Sequence, residues 1–403
     1  MSSILTNNGA MVALQTLKGV NASLSKTQNE ISTGKSVASA KDNSAIWAIS
    51  KVMESDVSGF SAISDSLALG DSTVAVAQQA AETITDLLGE VKKKIVAATG
   101  DNVDRNKLNA DVTALKEQIA SVVSAAQFNG LNLVDGSTAS TDVLASLDRN
   151  SSGNVAASYI TVSGQNLSTT GYTAANVFSV ANGYAATAGD AASMSLDVSG
   201  GSDNDTLTIS ATGLAAGDTL SIRVGSQVAS YQVTANDLAA TTPEDVIAVA
   251  LKQQVEALGV SNLTVDYDSS APGDLVFTNT GASTISVSAG FTNAGSGGLA
   301  ALQSLDVSTL SNAQAALGTI ETLSDTAIDA AAAFGSDAMQ IDIQAKFVSK
   351  LTDALKSGIG SMVDADMEEA SAKLQALQVQ QQLAIQSLSI ANQAPQNVLS
   401  LFR

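Results

Sequence analysis

Residues 46–98 read IWAISKVMESDVSGFSAISDSLALGDSTVAVAQQAAETITDLLGEVKKKIVAA. Taken in alternating steps of three and four, the positions are Ile46, Ile49, Met53, Asp56, Phe60, Ile63, Leu67, Gly70, Val74, Ala77, Ala81, Ile84, Leu88, Val91, Ile95 and Ala98, and of these only Asp56 is charged. Steps averaging about 3.5 keep one stripe of a helix facing the same way, so the run predicts a continuous helix whose seam lies against another helix. At about 1.5 Å per residue it extends roughly 80 Å. No proline interrupts it, because the chain's three prolines are Pro243, Pro272 and Pro395.

The stepping continues outward. After a turn at Gly100 to Asp104, the positions Leu108, Val112, Leu115, Ile119, Val122 and Ala126 predict a second helix folded back on the first and stopping near Asn129-Gly130, a turn dipeptide. In the C-terminal third, Leu310, Ala313, Leu317, Ile320, Ser324, Ala327, Ala331, Phe334, Ala338, Ile341, Ala345, Val348, Thr352, Leu355, Ile359 and Met362 predict another long helix. The seam resumes at Met367, Ala370, Leu374, Leu377, Gln381, Ala384, Leu388 and Ala391, its phase reset as by a coiled-coil stutter, and the helix is expected to end before Pro395. Near the start, Ala10, Leu14, Leu17, Asn21, Leu24, Gln28 and Ile31 follow the same steps with two polar members. Buried polar groups at such positions fix register; Asn21, Gln28 and Gln381 are candidates for that role or for contact with water.

The middle reads differently. Residues 140–300 are rich in Ser, Thr, Gly and Asp, and carry 14 acidic and 3 basic residues, a net charge of -11. Leu207/Ile209, Leu220/Ile222/Val224, Tyr231/Val233, Val265/Tyr267, Leu275/Phe277 and Ile285/Val287 alternate with period two and predict strands, with Gly225-Ser226 turning a hairpin. One helix is expected near 243–258: Thr242 as N-cap, Pro243 first, Glu244 and Asp245 at the positive dipole end, Ile247, Leu251, Val255 and Leu258 on one face, and Gly259 closing it. The order expected from 218 to 289 is strand, strand, helix, strand, strand. The fold class is mainly α with a β-rich insert: long coiled-coil-like helices from both termini forming a bundle, plus an outer α+β domain.

Composition narrows what such a molecule does. Apolar residues make up 45% of the 403 and aromatics 3%, a mix for close-packed helices rather than bulky pockets. With 39 acidic and 19 basic residues the net charge is -20, which argues against nucleic acid and anionic membrane surfaces as partners, since both need clustered Lys and Arg. The chain has no His and no Cys. That removes the commonest general base, thiolate nucleophiles and the usual transition-metal ligands. No cofactor, metal or catalytic residue is expected. The start, MSSILTNNGAMVALQTLKG, lacks the basic-then-apolar layout of a cleaved signal peptide, and no run approaches the ~18 apolar residues of a membrane insertion.

Three local motifs carry a resemblance. Residues 31–45, ISTGKSVASAKDNSA, resemble the bacterial flagellin signature in which "L-S-S/T-G" precedes "I/V-N-S-A-K-D-D-A-A"; Phe128-Asn129-Gly130 resembles the flagellin "F-N-G" turn; and residues 364–401, DADMEEASAKLQALQVQQQLAIQSLSIANQAPQNVLSL, resemble the C-terminal pattern ending "A-N-Q-x-P-Q-x-x-L-x-L". The match spans roughly 1–137 and 303–403; Asn43-Ser44 and Ile46-Trp47 depart from the usual "D-A" and "G-L/M". The insert is also similar to a repeat of some flagellin and hook-associated outer domains.

The resemblance implies a filament subunit for swimming motility, extracellular and exported without a cleaved signal peptide. Three domains are expected: 1–43 with 364–403 lining the lumen, 44–139 with 301–363 as a helical-bundle shell, and 140–300 projecting outward. Assembly seams are assigned to Leu14, Leu17, Leu24, Ile31, Leu374, Leu377, Gln381, Ala384, Leu388 and Ala391, and shell packing to Phe60, Ile63, Leu67, Leu88, Leu115, Ile119, Leu317, Ile341 and Leu355. Implied partners are copies of the chain itself, the flagellar export apparatus and a chaperone, and cap and hook-associated proteins. In many flagellins the segment resembling "L-Q-R-V-R-E-L-A-V-Q" is read by the vertebrate Toll-like flagellin receptor; here Leu88 to Ala97 read LGEVKKKIVA, with Glu90 for a basic residue and Lys94 for an apolar one, so weak recognition is expected. Alternatives are a hook–filament junction protein and a surface adhesin. Asp364, Asp366, Glu368 and Glu369 read as a charged helix start rather than a cation site, Asp203 and Asp205 lack the further ligands of a calcium loop, and Lys92-Lys93-Lys94 reads as a solvated or ion-paired helix face.

Overall fold

The computed structural model describes residues 7–149, 155–197 and 203–400. Residues 1–6 of the first terminal segment, Gly200 to Ser202 beside Asp203, and Leu401 of the C-terminal motif lie outside them. In chain order the elements are α1 (Asn8–Thr33), α2 (Ser44–Ala98), α3 (Arg105–Ala125), β1 (Gln127–Phe128), β2 (Leu131–Asn132), β3 (Ser140–Arg149), β4 (Val155–Ser163), β5 (Phe178–Val180), β6 (Tyr184–Ala185), β7 (Ala191–Leu196), β8 (Asp203–Ile209), β9 (Thr219–Val224), β10 (Gln227–Gln232), α4 (Ala235–Leu238), α5 (Pro243–Ala257), β11 (Leu263–Tyr267), β12 (Asp274–Asn279), β13 (Ile285–Thr292), α6 (Leu310–Val363) and α7 (Met367–Ser400). They fold into two compact units: Met1–Asp65 with Ser146–Ser158 and Ala345–Arg403, and Ser66–Ala145 with Tyr159–Gln344.

The first unit is helical. Asn7 starts α1 by accepting the Ala10 N–H on its side-chain oxygen at 3.0 Å, and Gly34, in the left-handed region at φ 69°, ends it. Asp366 starts α7, accepting from the N–H groups of Glu368 and Glu369 at 2.9 and 3.2 Å. The chain breaks between α6 and α7 here: Asp364 forms a β-bridge with Lys35. A stutter in one continuous helix is therefore the wrong description. The Asp366 cap and the strand-like pairing outcompete helical propagation. At the other end, α7 does not stop before Pro395 but runs through it to Ser400. Proline in a helix interior costs ~3 kcal/mol, so the continuation needs compensation.

The α2 seam, most of which belongs to the second unit, is realised in part. From Ile63 onward the buried stripe includes Leu67, Val74, Ala81, Ile84, Leu88, Val91 and Ile95, all fully buried. Earlier on α2 the expected Ile49 is 52% exposed and Ser50 is buried instead, its hydroxyl donating to the Trp47 carbonyl. Arg105 closes the turn into α3 by donating to the carbonyls of Ala98 and Gly100. Lys94 then ties α2 to α3 through Asp111 at 2.6 Å, and Lys92 ties α2 to α6 through Glu321 at 2.6 Å. Asn129 and Gly130 both have positive φ, 51° and 84°, the geometry a two-residue hairpin between β1 and β2 requires. Asn132, buried beneath it, donates to Val123 and accepts from Val134 and Asp135.

Two antiparallel sheets form the strand-rich part, in the orders β10-β9-β13-β7-β6 and β11-β12-β8-β5, beside the separate β3–β4 hairpin. Ile247, Ala248, Leu251 and Val255 of α5 enter the same core as Phe178, Phe277 and Phe291. All six expected strand regions are found, with Val233 just past the end of β10. Three strands follow the helix, not two, and the one-turn α4 precedes it. Strands β3 to β7 were not expected. Sequences such as AASMSL in β7 alternate through Ala, Ser and Met, so the period-two signal is weak.

Candidate assembly surface

The helices α1 and α7 pack along most of their lengths. Along α7 the inward stripe is Ala370, Leu374, Leu377, Gln381, Ala384, Leu388 and Ala391, all buried or half-buried, whereas Met367, the first seam member expected, is exposed at the first turn of the helix. Along α1 the stripe is Ala10, Ala13, Leu17, Val20, Leu24, Thr27 and Ile31. Leu17, Leu24 and Ile31 therefore face inward, but Leu14 does not: it is 44% exposed, and Asn21 and Gln28 are exposed as well. The two stripes share every second member, and the helices come close where a Cβ on Gly9 would sit 3.9 Å from the Ala391 Cβ. The slimmer Ala13 takes the inward step. The polar positions do meet, at the edge of the seam: the Gln381 amide donates to the Asn21 side-chain oxygen at 2.8 Å.

The outer faces of this pair are not polar. Met11, Val12 and Leu14 on α1 and Val379, Leu383, Ile385 and Ile390 on α7 are between 44% and 69% exposed. A groove between the helices is lined by Val12, Thr16 and Val20 on one side and Leu383, Ser387 and Ala391 on the other. A soluble helical hairpin normally confines large apolar side chains to one stripe. This one displays them on the outside too.

A joint ties the two chain ends together. The N–H of Ser36 donates to the Val363 carbonyl at 2.7 Å and that of Ala365 to the Gly34 carbonyl at 2.9 Å, flanking the Lys35–Asp364 bridge. Lys35 and Lys51 both approach Glu54, at 3.6 and 2.6 Å; the Lys51 hydrogen bond, with the charge of both lysines, holds the Glu54 carboxyl below its ordinary range. Asp42 is likewise held low by the N–H and hydroxyl of Ser39, and Asn43 accepts the Ile46 N–H at 3.2 Å at the start of α2.

Of the shell positions, Ile63, Leu67, Leu88, Ile119 and Ile341 are buried, and Phe60, Leu115, Leu317 and Leu355 half-buried. The spacing argument missed Met339, Ile343 and Phe347, an i, i+4, i+8 row on α6 that is 55% to 61% exposed. Their regular spacing is visible in the sequence, on a face of the helix away from the inward seam. The Glu90 side chain is 52% exposed and pairs with Lys93. Asp205 accepts from the N–H groups of Asn182 and Thr206, and Asp203 from that of Asp197; these are loop-closing contacts.

The model of the bacterial flagellin N-terminal helical region matches residues 4–139, and that of the bacterial flagellin C-terminal helical region matches residues 317–402. Flagellin A of Rhizobium meliloti is 37% identical to this chain over the full length of both proteins. The chain belongs to the bacterial flagellin family. Flagellin B of Rhizobium meliloti is also 37% identical over both full lengths, and flagellin FljK of Caulobacter vibrioides is 30% identical over all of this chain and 99% of its own. This flagellin is a structural subunit of the flagellar filament, and the full-length likeness favours that role over a junction protein or an adhesin.

Proposed function

We propose that the α1/α7 pair is incomplete in the single chain and finishes its folding against neighbouring copies in the filament. The observation that carries this is the row of exposed apolar side chains on the outer faces of both helices. Burying one Leu-sized side chain stabilises by about 1.5–3 kcal/mol, whereas ordering a backbone residue costs about 1–2 kcal/mol. The α1 and α7 helices hold 26 and 34 residues, so their few inward Leu and Ile cannot offset that entropy. Neighbours covering Val12, Leu14, Leu383 and Ile390 add apolar burial that the single chain lacks.

On this reading the division of labour is radial. Residues 1–43 with 364–403 line the lumen, 44–139 with 301–363 form the shell, and 140–300 face water with most of the negative charge. The chain passes the flagellar export apparatus unfolded, with a chaperone, and meets cap and hook-associated proteins at the filament ends. Its role is structural rather than catalytic. Seeded growth tests the reading: the full chain is expected to extend filaments and a chain lacking residues 1–40 and 365–403 to extend none. Normal filaments from the trimmed chain would overturn it.

A further inference from the structure

The continuation of α7 through Pro395 leaves an accounting question. In an α-helix the carbonyl of residue 391 accepts from the N–H of residue 395, and proline has none. The structure supplies a substitute from the opposite end of the chain: the Asn7 side-chain amide donates to the Ala391 carbonyl at 2.7 Å. The same amide group accepts the Ala10 N–H at 3.0 Å, so both its ends are used. Its orientation is thereby fixed, because a flipped amide would set donor against donor and acceptor against acceptor.

We infer that Asn7 and Pro395 form a register lock: the proline frees one carbonyl at a single position of α7, and Asn7 marks the one alignment of α1 that satisfies it. The inference rests on the proposed assembly role of this pair and names the positioning residue within it. An uninterrupted α7 would offer α1 no unsatisfied carbonyl here; the joint at residues 34–36 and 363–365 and the Gln381–Asn21 bond hold the register at one end and the middle of the pair, but the Ala and Leu that repeat along the far end of the seam discriminate little against a local slip there. With Pro395 in place, any slip leaves a half-buried carbonyl unpaired.

The test is a double-mutant cycle in the full-length chain. N7D keeps a side-chain oxygen for the Ala10 N–H, so the helix start survives, but it removes the donor to Ala391. P395A restores an N–H at 395. The critical concentration for seeded filament growth is expected to rise about tenfold in N7D, and N7D/P395A is expected to fall within about twofold of P395A alone. Unchanged growth of N7D, or the same penalty for N7D with and without P395A, overturns the lock. If the parent chain itself grows no filaments and its α1 and α7 amides are protected in the monomer, the assembly reading fails, and the lock is judged by amide exchange of residues 396–400 in that full-length monomer; no growth with unprotected ends overturns both. Faster exchange in N7D, cancelled by P395A, supports it; equal exchange in N7D and parent overturns it.

Discussion

At the scale of single residues, apolar spacing located the interface but not its phase. Ala10, Leu17, Leu24 and Ile31 belong to both possible stripes of α1, and the choice between Leu14 and Ala13 turned on how closely α7 approaches. That distance is a tertiary quantity, and hydrophobicity alone points to the wrong member. Side-chain pairing was similarly hidden. Lys94 is held by Asp111 across the α2–α3 turn and Glu90 by Lys93, partners that a linear reading of LGEVKKKIVA does not rank. These pairs bear on the segment that resembles the receptor-read stretch of other flagellins. On that resemblance, Glu90 stands where a basic residue is expected and the ion-paired Lys94 where an apolar one is. In a reporter-cell assay this flagellin is expected to activate the Toll-like flagellin receptor weakly. Glu90→Arg with Lys94→Leu is expected to raise potency at least about tenfold, the equivalent of ~1.4 kcal/mol. Potent activation by the unmodified chain would count against the assignment.

At the scale of elements, two glycines of α6 make opposite predictions from one chemical change. A Cβ on Gly318 would lie 2.2 Å from the Ser288 Cβ of β13, while one on Gly335 would meet nothing nearer than the Gln78 amide at 3.9 Å. The first turns of α6 are pressed against the strands. The Ser193 hydroxyl donates to the Gln314 carbonyl, Thr187 donates to the Asn312 side chain, and Arg223 of β9 pairs with Asp325. Gly→Ala within a helix gains about 1 kcal/mol in propensity, and overpacking costs about 1–3 kcal/mol. Urea unfolding of the monomer is expected to show G318A destabilised by ~1–2 kcal/mol and G335A stabilised by up to ~1 kcal/mol. The same sign for both would mean that α6 is not docked at Gly318 as described. The long helices were legible because sixteen-position seams outvote local noise. The strands β3 to β7 were not, because Ala and Ser alternation carries little signal. The helix end at Pro395 was misjudged because its compensation comes from Asn7, more than 380 residues away in sequence.

At the scale of the whole molecule, the two compact units differ in how far each completes its own core. The unit containing the sheets buries Phe178, Phe277 and Phe291 together with the α5 face and closes the α2 stripe from Leu67 to Ala98 to water, so that a complete core lies beneath the exposed Leu69, Val96, Met339 and Ile343. The unit containing the termini leaves Met11, Val12, Val379, Leu383, Ile385 and Ile390 more than half exposed. On the proposed assembly route the subunit gains from this asymmetry, since one part folds at once and the other waits for neighbours. Hydrogen exchange on monomer and filament reads the difference directly. Amides of α1 and α7 are expected to exchange near the unfolded rate in the monomer and at least about 100-fold more slowly in the filament, corresponding to ~3 kcal/mol or more of local stability. Amides of β7, β9, β13 and residues 63–98 are expected to be protected in both. Strong protection of α1 and α7 in the monomer would mean that the inward seam suffices by itself, and the exposed apolar faces would then need a different explanation.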